Sequence, residues 1–247
     1  MARRFFETTL RPLDLAEAGE FFRLAALLGY CAISLVLDPR RLDAAVELKR
    51  SAAEWGLDFV SRIDVTADSN AAMKRLLRKF RRRVELISVR GLDRRTISFG
   101  CRDRRVDLVT VERCAKFYRG DLDNLLSQDK SVELVARPLL RYSGRERGAV
   151  IRVYREVFER LERRGVKVVV GSGAQRPLEI RGPRELAALF AEVLDASQRD
   201  MLDAISTNPL RLVERNRFKL SEYFIMPGVY LYEGGDAGGE EVSGVQG

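Results

Sequence analysis

Seven of the ten residues from Lys74 to Arg83 are cationic: Lys74, Arg75, Arg78, Lys79, Arg81, Arg82 and Arg83. No acid lies among them. Like charges packed this closely repel, and a phosphate backbone relieves them by neutralisation and counterion release. On a helix, Leu76, Leu77 and Phe80 would pack inward and the cations would wrap the rest of the circumference. A surface built only for solubility would mix in acids. A second group, Arg90, Arg94, Arg95, Arg102, Arg104 and Arg105, lies in the least regular stretch of the chain. It holds one aromatic, Phe99, which is too little for a base-stacking platform. A third group, Arg211, Arg215 and Arg217, surrounds Asn216, with Glu214 at hand as a partner for one of them. Such clusters address backbone and shape, because base edges rather than phosphates carry sequence information.

Two other constellations could do chemistry. Gly171, Ser172, Gly173 and Ala174 follow an apolar β-branched run, and their small side chains would admit a close backbone or phosphate. The stretch matches neither G-x-G-x-x-G nor G-x-x-x-x-G-K-[ST], and the next helix waits until Pro183. Local chemistry therefore favours a tight turn closing the chain against neighbouring strands. Ser172, Gln175 and Arg176 could add polar contacts there, unless Arg176 and Arg181 pair with Glu179 or Glu185. Asp38, Asp64 and Glu112 fall near expected strand ends. Carboxylates alone can hold Mg²⁺, so a histidine-free, Mg²⁺-dependent phosphoesterase is the rival of a different class. It requires two of these acids to converge, whereas isolated acids more often cap helices or pair with cations.

The chain has no histidine. That removes the commonest general base and the commonest metal ligand, and excludes Ser-His-Asp and Cys-His nucleophiles. Neither a catalytic residue nor a metal ligand is assigned. Cys31, Cys101 and Cys114 are odd in number and far apart, and read as reduced core thiols of a cytoplasmic protein. No apolar run reaches 18 residues, and the N-terminus lacks a secretory apolar segment, so no membrane partner is expected. Seven lysines against 37 arginines, within a net charge of +8, suit a phosphate-binding surface, because the guanidinium fork matches phosphate geometry, and suit equally a chain that uses arginine in place of lysine and pairs or solvates it against its 36 acids. The arginine excess, with four asparagines and four glutamines, points to a thermophile.

The elements that must position these residues alternate. Strands are expected at 5–10, 30–37, 57–65, 84–89, 106–112, 131–137 and 166–170. Helices are expected at 14–29, from Asp38-Pro39 to Trp55, and at 70–82, 119–127, 146–164, 183–194 and 196–206. Asp14 and Ser69 suit N-caps, and Gly29, Gly56 and Gly165 suit helix ends. Short β-branched strands separated by helices imply parallel pairing with crossovers. About seven such units without a linker give one α/β domain, a single TIM-barrel-like (β/α) barrel with irregularities. An open doubly wound sheet is the alternative. The barrel should span 1–217. An apolar extension at 218–233, containing YFIMPGVYLY, should cover the barrel end or dock a partner. The glycine-rich stretch at 234–247 reads as a disordered tail.

A strand ending in GSGA (171–174), LEIRGPREL opening a helix, and ISTNPLRLVERNR (205–217) resemble, in that order, the archaeal ribonuclease P protein component 3. The resemblance runs from VELVARPLL (132–140) to Asn216, with the first half following by element order. It implies a TIM-barrel-like fold and a role in tRNA maturation, removal of the 5′ leader from precursor tRNA. It implies catalysis by an RNA subunit that holds the Mg²⁺ ions, with no cofactor on this chain. It also implies partnership with that RNA, with protein component 2 as a heterodimer or dimer of heterodimers, with the other protein subunits, and indirectly with precursor tRNA. The fold family further resembles metal-dependent phosphoesterases that bind metal largely through histidine, which this chain lacks.

Overall fold

The computed structural model describes residues 3–112, 115–226 and 229–230. Cys114 and the glycine-rich stretch 234–247 lie outside the described residues. The strands are β1 (Phe5–Leu10), β2 (Tyr30–Leu35), β3 (Asp58–Phe59), β4 (Arg62–Val65), β5 (Leu86–Arg90), β6 (Leu108–Val111), β7 (Ser131–Val135), β8 (Val168–Gly171), β9 (Phe224–Met226) and β10 (Val229–Tyr230). The helices are α1 (Ala18–Leu27), α2 (Ala44–Glu54), α3 (Asn70–Phe80), α4 (Arg94–Arg102), α5 (Arg119–Ser127), α6 (Arg137–Arg141), α7 (Gly144–Glu162), α8 (Pro183–Leu194), α9 (Gln198–Ala204) and α10 (Thr207–Leu220).

Strands β1 to β8 run parallel in sequence order, with a helical segment in every connection except that from β3 to β4. The segment expected as one strand at 57–65 breaks at Ser61. The Glu85 carboxylate accepts the Ser61 N–H at 2.7 Å and its hydroxyl at 2.9 Å, taking the donor a continuous ladder would use. β3 therefore pairs with β2 and β4 with β5, joined by the Val36–Arg62 bridge. At the other seam, β8 meets β1 without a ladder among the described residues. The Arg11 N–H donates to the Ala174 carbonyl at 2.8 Å, and the strands touch at Gly171. The result is an irregular barrel.

Period-two alternation stacks three layers inside it. Phe6, Ala32, Val60, Leu86, Leu108 and Val169 form an apolar floor, closed from below by Leu212 and Val213 of α10. Two residues further along each strand lie Thr8, Arg62, Ser88 and Thr110, joined by Glu133, all buried. Two further still come Asp64, Arg90 and Glu112 at the mouth. The larger apolar cluster fills the space between strands and outer helices.

Several boundaries differ from the sequence reading for identifiable reasons. The turn after Asp38 is closed by Arg40 N–H on the Asp38 carboxylate and Arg41 N–H on its carbonyl, so α2 starts only at Ala44. Residues 94–102, read as irregular, are a helix opened by an Asp93/Thr96 capping box. Gly100 lets this helix sit against Val89 and Val109, where a Cβ would come within 2.9 Å of a valine methyl. β7 ends at Val135, and Arg137 and Pro138 open the short α6 rather than continuing the strand.

Candidate functional site

The barrel mouth is the natural place to seek chemistry in this architecture. Asp64 and Glu112 do converge there, as a phosphoesterase would require, but a guanidinium lies between them. Arg11 donates to Asp64 Oδ2 at 2.8 Å and to Glu112 Oε1 at 2.5 Å. Arg90 reaches Glu112 at 3.2 Å, and Arg62 Nε reaches Asp64 Oδ1 at 2.9 Å. Asp38 is exposed and serves its own turn. The residues present do not fit a metal ion, because their charge is already spent on arginine. Among the described residues no cluster of three histidine, cysteine or carboxylate ligands forms.

Beneath the mouth, Arg62 and Glu133 make a fully buried bidentate pair, Nη1 to Oε1 at 2.7 Å and Nη2 to Oε2 at 2.6 Å. Thr8 and Thr110 donate to the same carboxylate at 2.7 and 2.6 Å, and the Thr9 hydroxyl completes it. Burial alone would raise the pKa of Glu133. The Arg62 charge and these donors override it and hold the carboxyl well below its ordinary range. This network was missed in the sequence, although Arg62, Ser88, Thr110 and Glu133 stand as polar interruptions at alternate positions of apolar strands.

The glycine-rich stretch acts as a seam. A Cβ at Gly171 would stand 2.5 Å from Thr9 Oγ1, and one at Gly173, where φ is +67°, would stand 2.2 Å from Val135 Cγ1. The Ser172 N–H is consumed by the Glu7 carboxylate at 3.0 Å, and the Ala174 N–H by Ser172 Oγ at 3.2 Å. The turn-closure reading describes it, and its donors are not aimed at solvent. Gln175 N–H bonds Glu179, which pairs with Arg137 at 3.4 Å. Glu185 accepts the Gly182 N–H. Arg176 is exposed and pairs with neither acid.

Burial raises the pKa of Glu7 to about 7, against the opposing N–H bonds of Thr9 and Ser172. The folded state thus keeps a proton that the unfolded chain, near 4.5, releases. Stability from this source is full below that value and is lost as pH rises through about 7, by about 3 kcal/mol. Glu7→Gln keeps an acceptor and removes the titration. Urea midpoints from pH 5 to 8 should fall in the wild type and stay flatter in the variant. A level wild-type profile contradicts this.

The cationic groups sort by partner. Arg81 pairs with Asp107 at 2.5 Å, and Arg83 reaches exposed Asp43 at 3.3 Å. Arg94 pairs with Asp121 at 2.6 Å and stacks on Tyr118, while Arg105 grips Asp103 with two bonds. Arg95 donates to the Ala67 carbonyl at 3.0 Å. Arg215 is held by Asp129 and Asp107, and Arg217 by Asp58 and Glu85, all beneath the barrel floor. Asn216 donates to the Glu85 carbonyl at 2.8 Å, so the ERN stretch fastens α10 as a plug. Glu214, expected as the partner, is not used. Lys74, Arg75, Arg78, Lys79, Arg82, Arg102, Arg104 and Arg176 are exposed and form no ion pair with a described residue. Five of these lie on or just beyond α3, whose Met73, Leu77 and Phe80 are buried while Leu76 is only half-buried.

Comparison with known proteins agrees with this architecture. The sequence model of the family described as RNase P subunit p30 matches residues 18–220. Ribonuclease P protein component 3 of Methanosarcina barkeri is 28% identical over 199 residues, covering 78% of this chain and 81% of the relative. The protein of the same name from Haloarcula marismortui is 30% identical over 190 residues, covering 74% and 77%. A chain in the cryo-EM structure of an archaeal ribonuclease P with mature tRNA superposes with a TM-score of 0.77 at 16% identity, covering 92% of this chain and 99% of that one. This last likeness establishes the shared fold.

Proposed function

The chain belongs to the RNase P subunit p30 family, and on that premise we propose that it is a protein subunit of ribonuclease P. It binds and steadies the catalytic RNA, together with protein component 2, while the RNA removes the 5′ leader from precursor tRNA. The family match across residues 18–220 carries this reading. The charge distribution supports it and says how. Inside and beneath the barrel, arginines are paired and wholly or partly buried. On the outer face of α3, cations stand unpaired and in the open, which suits a polyanion with regularly spaced charge.

The chain itself supplies no catalytic group in this reading, and Mg²⁺ belongs to the RNA. The protein lowers the Mg²⁺ requirement by contributing fixed positive charge, and it acts in the cytoplasm alongside the other protein subunits. The phosphoesterase reading is not favoured, because Asp64 and Glu112 converge on Arg11 rather than on an open position. The test is equilibrium binding at about 0.15 M salt to the ribonuclease P RNA of the same genome and to an unrelated structured RNA of equal length. A clear preference for the former is expected. Equal affinity would reduce the chain to a generic RNA-binding barrel.

A further inference from the structure

The surface between α3 and α4 holds a concavity of about 550 Å³, lined by Asn70 and Lys74 of α3, Arg95, Ser98, Phe99 and Arg102 of α4, and Asp103 and Arg104 beyond it. The sequence spacing builds it. Arg95, Ser98, Phe99 and Arg102 recur at i, i+3, i+4 and i+7 and share one face of α4, while Asn70 and Lys74 share the facing side of α3. The one acid in the lining, Asp103, is saturated by both ends of Arg105. Lys74, Arg102 and Arg104 have no ion-pair partner among the described residues. Arg95 is anchored by Nη2 on the Ala67 carbonyl at 3.0 Å. Its Nη1 is shielded from solvent and has no hydrogen-bond partner among the described residues. A second basin, lined by Lys74, Arg75, Arg78 and Arg105, adjoins the first through Lys74. Lys74 and Arg78 stand one turn apart, a rise of about 6 Å.

We propose that this groove seats a run of RNA backbone phosphates, entering beside Arg102 and Arg104, bonded by the Arg95 fork and Ser98 at its centre, and leaving along Lys74 and Arg78. The proposal rests on the reading of the chain as an RNA-binding subunit and fixes which surface does the binding. Arg95 adds to the positive lining: its Nη2 is anchored, its Nη1 is shielded and finds no partner among the described residues, and a phosphate supplies acceptors in the geometry of a guanidinium fork. The saturation of Asp103 leaves the groove net positive, so an anion entering it displaces no internal partner. Phe99 is buried beneath the groove and offers no open ring, so recognition runs through the backbone rather than through bases.

The test uses the full chain and the ribonuclease P RNA of the same genome. One variant carries Lys74→Gln, Arg102→Gln and Arg104→Gln, all exposed and without ion pairs, so the fold is kept. A control carries the same charge change on α7 and α9: Arg145→Gln, Arg152→Gln and Arg199→Gln. A third, Arg95→Lys, keeps the charge and removes the fork. The groove variant should lose about tenfold or more in affinity at about 0.15 M salt, and its log Kd against log salt slope should fall by about 2. The α7/α9 control should match the wild type, and Arg95→Lys should lose affinity despite its retained charge. Equal losses in groove variant and control, or no loss in either, overturn the proposal and leave the subunit reading standing. So does a groove variant that keeps its RNA affinity but no longer binds component 2, which would make the groove a protein-docking surface. A wild-type chain that binds no ribonuclease P RNA at all overturns the subunit reading itself.

Discussion

Replacing Arg62 by methionine is expected to lower stability by about 3–5 kcal/mol, because it strands Glu133 as an unpaired charge in the barrel interior. Both side chains are fully buried, and Thr8, Thr9 and Thr110 are oriented to a carboxylate that Arg62 keeps ionised. For a domain of this size the loss corresponds to about 10 °C in melting temperature. Glu133→Gln, which leaves Arg62 short of a counter-charge but still able to donate, should cost less. Arg62→Met with Glu133→Leu should recover a large part of the loss, since an apolar replacement removes both desolvated charges together. The pH sign follows from the depressed Glu133 value: the pair's contribution is complete above the ordinary carboxylate range and fades as pH falls below it. Thermal melts of the three variants at neutral pH settle the matter, and an Arg62→Met protein that melts with the wild type contradicts the account.

Reversing Arg75, Arg78, Lys79 and Arg82 to glutamate is expected to weaken binding to the ribonuclease P RNA by about a hundredfold at moderate salt, with a salt slope smaller by about 3. None of the four is ion-paired to a described residue, and all are exposed, so the melting temperature should move by only a few degrees. Arg81→Glu should behave in the opposite way. Arg81 is only 18% exposed in its side chain and bonds Asp107, which also accepts the Ile87 N–H at the foot of β5. A second carboxylate there repels Asp107, so this variant should lose stability first. A triple reversal of Arg81, Arg82 and Arg83, the obvious choice from charge density alone, would therefore mix unfolding with lost affinity. Filter binding across a salt series, with a melt of each variant, separates the two, and unchanged affinity in the fourfold variant removes α3 from the interface.

Much of the barrel was legible because β-branched strands, glycine helix ends and Ser69 each announce their own local geometry. Gly29, Gly56 and Gly165 all take positive φ at the ends where the sequence placed them. What was hidden depends on contacts between distant segments. Nothing near Ser61 says that Glu85 will take its N–H, and nothing near Arg11 says that it will lie between Asp64 and Glu112. The α4 helix was legible in principle from the Asp93/Thr96 capping box, but the four arginines on and around it (Arg90, Arg94, Arg95 and Arg102) interrupt its apolar periodicity. Arg215 and Arg217 looked like surface cations because their partners, Asp107, Asp129, Asp58 and Glu85, lie between 86 and 159 residues away. Charge density in sequence therefore marks a surface only where the acids of the rest of the chain do not reach it.

The most direct measurement is leader cleavage of a precursor tRNA by the ribonuclease P RNA with component 2, at low Mg²⁺, with and without this chain. Adding the chain should raise cleavage several-fold, the chain alone should cut nothing, and the fourfold α3 variant should fail to stimulate. Cleavage that is indifferent to the chain, with phosphoester hydrolysis by the chain and Mg²⁺ alone, would contradict the subunit reading and return attention to Asp64 and Glu112.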